Sequence, residues 1–203
     1  MIRAVLFDMD GVLLDTETLG FRAMRRIAAE FGYTVDLAFY RTTLGLTNGE
    51  CYRAYIAGLG EAFPYEEASE RFARYFTQYS RARSLPCKPG LTECLEGLRA
   101  RGIRIALATS TARTLVNEYF ASMPDLGPYF NGMVCGGEAP RGKPAPDIYI
   151  AAARAVGCAP EECVGVEDSF GGLQAVHASG ARCVMIPDLL PYEESFRPYV
   201  DDC

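Results

Sequence analysis

Apolar positions along the chain follow two rhythms. Residues 2–7, Ile2-Arg3-Ala4-Val5-Leu6-Phe7, form a short, mostly apolar run that ends in acidic residues. That is the pattern of a buried strand. From residue 21 the spacing widens to a helical stripe, Phe21, Met24, Ile27, Ala28 and Phe31, closed by Gly32. Thr47 with Glu50 three residues later has the form of a capping box and predicts a second helix to about Leu59. Pro64 precedes a third helix, with Ala68, Phe72, Tyr75, Phe76 and Tyr79 on one stripe that reads as packing core rather than a cofactor site.

Beyond Pro86 the two rhythms alternate. Pro89 is expected to open a helix carrying Leu91, Leu95 and Leu98 and ended by Gly102. A strand is expected over 103–108, a helix over 112–120, a strand over 130–135 and a helix over 145–156. Then come a strand over 163–166, a helix over 171–179 and a last strand over 182–186. Such alternation predicts an α/β fold with a mostly parallel sheet covered on both faces. The first strand belongs to that sheet, whereas the next sixty-odd residues read as helices. The economical organisation is an α/β core, residues 1–14 and 81–203, interrupted by a helical insertion over 15–80.

Composition narrows the partners. A chain of 203 residues can hold one sizeable core and a small second domain. Its net charge of −6 argues against nucleic acid or an anionic membrane as the main partner. A small phosphorylated metabolite remains compatible, because a site needs only local positive charge or a metal. No apolar run approaches the ~20 residues of a membrane span, and the short run before Asp8 lacks the form of a signal peptide. The expected location is therefore cytoplasmic. The eight cysteines are scattered without a Cys-x-x-Cys pair, and His177 is the only histidine. Zinc sites want such residues clustered, so the thiols are expected to be reduced and packed as small hydrophobes. His177, on a helix, is expected to be structural. Oligomeric state is left open, with a monomer compatible.

The chemistry sits where strands end, and open α/β sheets bind their ligands outside those ends. After the first strand come Asp8 and Asp10, two carboxylates at i and i+2, with Gly11 to turn the chain. After the second comes Thr109-Ser110-Thr111, whose hydroxyls and N–H groups at an expected helix N-terminus would suit an anion. Lys143, between Gly142 and Pro144, offers a point charge to a phosphate. Glu167 and Asp168 follow a buried strand and would repel each other without a cation; oxygen-only ligands favour Mg²⁺ over zinc.

Taken together, these segments resemble the haloacid dehalogenase (HAD) superfamily, in the branch that includes β-phosphoglucomutase and sugar-phosphate phosphatases. Asp8-Met9-Asp10-Gly11-Val12-Leu13-Leu14-Asp15-Thr16-Glu17 is close to that branch's first motif. Thr109, Lys143 and Glu167-Asp168-Ser169 fill the second, third and fourth motifs in order. The resemblance implies a Rossmann-like, HAD-like core with an inserted four-helix cap. It implies a Mg²⁺-dependent phosphatase in which Asp8 attacks phosphorus and Asp10 is the general acid and base. The metal would be held by Asp8, Glu167, Asp168 and the Asp10 main-chain carbonyl. Thr109, Ser110 and Lys143 would hold the phosphoryl oxygens, and Gly45, Leu46, Thr47 and Asn48 would face the substrate from the cap. Gly20 stands where the mutase carries a histidine, and Asn48 where it carries an arginine. These departures favour hydrolysis of a small phosphorylated metabolite, a sugar phosphate in the first instance. A phosphomutase is the alternative, with Arg71, Arg74 or Arg113 as candidate holders of a second phosphate. A dehalogenase or a catalytically silent binding protein is the more distant reading.

Overall fold

The computed structural model describes residues 1–46, 48–83 and 85–203, without the side chains of Asn48 and Arg81. Five parallel strands form one sheet: β1 (Ala4–Phe7), β2 (Arg104–Ala112), β3 (Gly132–Gly136), β4 (Cys163–Glu167) and β5 (Arg182–Met185), in the order β3-β2-β1-β4-β5. β1 is central, with Phe7 in register with Leu107 on one side and Val166 on the other. Its four residues are all buried because both sheet faces are covered.

The period of two along each strand sorts side chains between two cores. Ala4, Leu6, Ala106 and Ala108 point to one face and pack with α7 (Asp147–Ala155) and α8 (Phe170–Ser179), through Ile148, Tyr149, Leu173 and Val176. Val5, Phe7, Ile105 and Leu107 point to the other and pack with α5 (Leu91–Ala100) and α6 (Arg113–Ala121), through Leu91, Leu95, Val116 and Tyr119. A third cluster lies apart from the sheet. Met24 and Ile27 of α1 (Thr16–Glu30), Tyr40 of α2 (Leu37–Arg41), Tyr55 of α3 (Asn48–Leu59) and Ala68 of α4 (Tyr65–Ala82) build it with Phe63. Leu189, beyond β5, packs against this cluster.

Several boundaries differ from those the sequence predicts, for local reasons. The helix expected from Pro89 begins at Leu91, because Gly90 takes a left-handed turn (φ 79°) just before it. The helix expected from Ala145 begins at Asp147, after Pro144 and Pro146. β2 runs on to Ala112 and α6 starts only at Arg113, so Thr109-Ser110-Thr111 lies on the extended strand end rather than at a helix N-terminus. Gly136 permits that extension, since a Cβ there would collide with the Ser110 carbonyl oxygen. α2 escapes periodicity because it is only five residues long; Asp36 caps it by accepting from the Phe39 N–H at 2.8 Å. The capping box at Thr47 lies outside the described residues. All eight cysteines are free. His177 is exposed, with its ring edge-on to Tyr199. Among the described residues no helix is long and apolar enough to cross a membrane.

Candidate active site

The carboxyl ends of β1, β2 and β4 bring four sequence segments together. Asp8 leaves β1 with its N–H donating to the Val166 carbonyl at 3.0 Å. It is buried, as are Glu167 and Asp168 at the end of β4. Lys143 enters from the loop before α7 and joins two of these acids: its Nζ lies 2.6 Å from Asp8 Oδ1 and 2.5 Å from Glu167 Oε1. Glu167 Oε1 also accepts from the Tyr149 hydroxyl at 2.7 Å. Its Oε2 takes the N–H groups of Asp168 and Ser169 and the Ser169 hydroxyl, at 3.0 to 3.2 Å. A carboxylate offers about four lone-pair sites, so this one is fully used. Two glycines create the room. A Cβ on Gly172 would overlap the Glu167 carboxyl, and one on Gly11 the Asp168 carboxyl.

Electrostatics divide the three acids. Burial pushes Asp168 well above the usual carboxylate range, with repulsion from Glu167 and Asp8 added. Burial also pushes Asp8 up, to about 7, against the pull of Lys143. Burial would raise Glu167 likewise, but Lys143, Tyr149 and the backbone N–H groups hold it below its ordinary value. Lys143 keeps its proton because Asp8 and Glu167 outweigh the cost of burying it. Three acids thus share one ammonium in a buried cluster. They offer oxygens within 4.8 Å of one another, and a divalent cation would balance the excess charge. Cys and His take no part in this cluster, so the donor set fits a hard ion such as Mg²⁺.

Asp10 stands one step outward and is partly exposed. Two hydroxyls aim its carboxylate: Thr16, from the start of α1, donates to Oδ1 at 2.9 Å, and Thr111, from the end of β2, donates to Oδ2 at 2.7 Å. Two cavities meet at this residue. A polar one of about 410 Å³ is lined by Asp8, Ser110, Gly142, Lys143, Asp168 and Ser169. A larger one of about 620 Å³ lies against the helices and is lined by Tyr40, Tyr55, Tyr65, Phe72, Phe76 and Tyr119 among others. Asp10, Glu17, Gly45 and Leu46 line both. Gly45 comes close to the sheet side, where a Cβ on it would lie 3.5 Å from Ser169 Cβ.

Of the residues expected from sequence, Asp8, Asp10, Ser110, Lys143, Glu167, Asp168, Gly45 and Leu46 converge here. Thr109 does not line either cavity: it is fully buried and its hydroxyl oxygen accepts from the Thr111 N–H at 3.0 Å. Thr47 and the Asn48 side chain lie outside the described residues. Three participants are not singled out by the sequence, Thr16, Glu17 and Tyr149, and Thr111, expected to face an anion, instead donates to Asp10. Thr16 and Glu17 belong to the first motif segment, so proximity to Asp10 was a usable signal. Tyr149 carried none, since only the fold brings the first turn of α7 under Glu167.

Known proteins resemble this chain in sequence and fold. The family model described as haloacid dehalogenase-like hydrolase matches residues 2–180. A phosphorylated carbohydrates phosphatase of Thermotoga maritima is 36% identical over 184 residues, 88% of this chain and 82% of that protein. The crystal structure of a mutant CbbY from Rhodobacter sphaeroides, in complex with xylulose-(1,5)bisphosphate, is 29% identical with a TM-score of 0.74, covering 100% of this chain and 93% of that one. A β-phosphoglucomutase structure from Clostridium difficile, 20% identical with a TM-score of 0.68 and covering 98% of this chain and 96% of that one, shares the fold. The chain belongs to the haloacid dehalogenase-like hydrolases.

Proposed function

We propose that the chain is a Mg²⁺-dependent phosphatase that hydrolyses a small phosphorylated metabolite, a sugar phosphate in the first instance, through an aspartyl phosphate on Asp8. The observation that carries the reading is the position of Asp10 at the junction of a polar compartment and a larger, ring-lined one. The polar side has the size and groups for a phosphoryl moiety, and the other side for the alcohol that leaves it. An acid at the junction is where the bridging oxygen needs its proton.

In this reading an Asp8 carboxylate oxygen attacks phosphorus and the bond to the bridging oxygen breaks. Asp10 gives its proton to that oxygen, releasing the alcohol. Water then attacks the aspartyl phosphate, Asp10 takes a proton from it, and phosphate leaves with Asp8 restored. Lys143 and the Ser110 region steady the phosphoryl oxygens. Asp8, Asp168 and the Asp10 main-chain carbonyl would hold Mg²⁺, which when bound shields the nucleophile from phosphate charge. Glu167, its oxygens already used, serves first to fix Lys143 and turns to an ion only by releasing a donor. Residues 15–80 act as a cap over the site, and the compartment is cytoplasmic.

Hydrolysis is favoured over mutase chemistry by Tyr40. A side chain on Gly20, where the mutase carries histidine, would collide with the Tyr40 hydroxyl. The arginines that are candidates for a second phosphate are each paired with glutamate. Arg71 pairs with Glu30 and Glu67, Arg74 with Glu70, and Arg113 with Glu138. Phosphate release from p-nitrophenyl phosphate, with and without Mg²⁺, tests the reading. Undiminished turnover in excess EDTA removes the metal, and stoichiometric glucose 6-phosphate from β-glucose 1-phosphate with little free phosphate removes hydrolysis.

A further inference from the structure

The amino end of β4, opposite the candidate site, brings two thiols together. Cys158 follows α7 and Cys163 opens β4, and residues 159–162 form a closed turn between them. The Glu162 N–H donates to the Ala159 carbonyl at 3.0 Å, and the Ala159 N–H donates to Glu162 Oε2 at 3.0 Å. Such a turn brings its ends within ~7 Å, and the flanking side chains meet: the Cys158 and Cys163 thiols are in contact. Backbone carbonyls hold both sulfurs in this corner. Cys158 Sγ donates to Val156 at 3.7 Å and Cys163 Sγ to Ala159 at 3.3 Å. Arg3 closes the corner, gripping both Glu162 oxygens at 2.9 Å, and its charge acts on both thiols.

The two sulfurs differ in access. Cys158 is half-buried and Cys163 is buried. Burial, with Cys158 beside it, pushes the Cys163 thiol up to about 12, so it stays protonated. Cys158 is therefore the sulfur that meets an oxidant, and Cys163 the one placed to resolve it. Other thiols have different neighbours: Cys51 donates to the Thr43 and Leu46 carbonyls, Cys183 to that of Leu173, and Cys87 faces Met123 Sδ.

We propose that Cys158 and Cys163 form an oxidative modification site, at which hydrogen peroxide closes a reversible intramolecular disulfide that staples the end of α7 to β4. The Cys158 sulfur attacks the peroxide, becomes a sulfenic acid and releases one water. The Cys163 sulfur then displaces the sulfenic hydroxyl, which leaves as a second water with the Cys163 proton. The two sulfurs together give up two electrons, and one peroxide is reduced to two waters. A thiol reductant reverses the bond by exchange. The link closes a short loop that is otherwise open in the unfolded chain, so the oxidised protein should resist unfolding better.

Trypsin makes the test direct, because the peptide between Arg154 and Arg182 holds these two cysteines and no other. The folded full chain is treated with hydrogen peroxide, unfolded with N-ethylmaleimide to block the remaining thiols, and digested without reductant. That peptide should lose two hydrogens and carry no maleimide, and dithiothreitol given before blocking should restore two maleimides. Two maleimides after a peroxide dose that oxidises the exposed Cys203 overturn the proposal. So does a dominant disulfide elsewhere, or a sulfinic acid on Cys158. Two variants assign the roles. In Cys163→Ser the peptide should be trapped by dimedone as a Cys158 sulfenic acid, whereas Cys158→Ser should leave Cys163 open to maleimide. Cys158→Ser changes a half-buried residue conservatively and keeps the test valid if the buried variant fails to fold. The urea midpoint of the parent should rise on oxidation and fall back on reduction, with no such change in Cys158→Ser. A parent midpoint that stays the same or falls on oxidation overturns the staple.

Discussion

The two cavities that meet at Asp10 are built on opposite terms. The polar side hangs from three adjacent strands of a sheet covered on both faces, and its groups are bonded to one another: Lys143 to Asp8 and Glu167, and Glu167 to Tyr149 and Ser169. The other side is walled mostly by α1–α4, whose rings pack with edge-on and tilted contacts such as Phe39–Tyr55 and Phe72–Phe76. Hydrogen-bonded charges fix geometry to tenths of an ångström, whereas ring packing tolerates substitution of similar volume. The first compartment is suited to one reaction and the second to variable substrates. Substitutions should therefore separate: loss of turnover on one side, changed selectivity on the other.

The largest effect is expected at Asp8. Asp8→Asn keeps the shape but removes the nucleophile and the partner of Lys143, so phosphate release should fall to background while the circular dichroism spectrum is unchanged. Turnover that persists in protein checked by mass for deamidation would contradict the covalent route. Next comes Asp10→Asn, with an expected loss of about 10²–10⁴-fold on a sugar phosphate. The loss should be much smaller on p-nitrophenyl phosphate, whose phenolate departs without a proton. Equal losses on both substrates would mean that Asp10 is needed for something other than protonating the leaving oxygen, and the junction argument would fail. A weaker effect is expected at Tyr149→Phe. It removes one donor from a buried, charged Glu167, which costs about 1.5–3 kcal/mol of stability by the usual worth of such bonds. Lys143 then loses part of its alignment, so kcat should fall several-fold with little change in KM. A variant as stable and as active as the parent would show that Lys143 and the backbone N–H groups suffice to hold Glu167.

The same division explains what the sequence made legible. The sheet was readable because its strands are short continuous apolar runs punctuated by glycine and charge. Asp8, Lys143 and Glu167 were readable because each ends or follows such a run. The end of β2 was misjudged because Thr109-Ser110-Thr111 satisfies the grammar of a helix start equally well. Only the bare backbone at Gly136, from a different strand, lets the chain stay extended. Partnerships across 101 and 18 residues, Thr111 with Asp10 and Tyr149 with Glu167, have no local pattern at all. The cavity under the helices was equally hidden. The aromatic stripe of α4 is a packing face but a half-buried one, with Phe72 against the helical cluster and Tyr75, Phe76 and Tyr79 against the sheet side. It does not say that Phe72 and Phe76 also border open space.

The smallest effect concerns stability rather than rate, and it sharpens the comparison at Glu17, the acid both compartments share. Burial pushes its carboxyl up to about 8, with repulsion from Asp10, Asp188 and Asp8 added and Lys88 opposing. A carboxyl raised in the folded state keeps its proton there between its ordinary value of 4.5 and about 8, while the unfolded chain has lost it. The folded state therefore binds more protons across that window. The associated stability is fully present below 4.5 and is lost as pH rises through 8. Glu17→Gln replaces the titrating group with a permanently neutral one of similar shape, so its stability should not follow that decline. In urea titrations with EDTA present, the variant should gain on the parent between pH 6 and pH 9, by at least about 1 kcal/mol. That is a discounted share of the ~1.4 kcal/mol per pH unit that linkage allows, because Glu17 faces a cavity that water can enter. Working with the difference between the two proteins removes the titration of Asp8 and Asp168 except for the part that comes from their repulsion by Glu17. Parallel stability profiles would mean that Glu17 is solvated and ionised at neutral pH. The cavity beyond Asp10 would then carry a full negative charge and lose a neutral donor for a substrate hydroxyl.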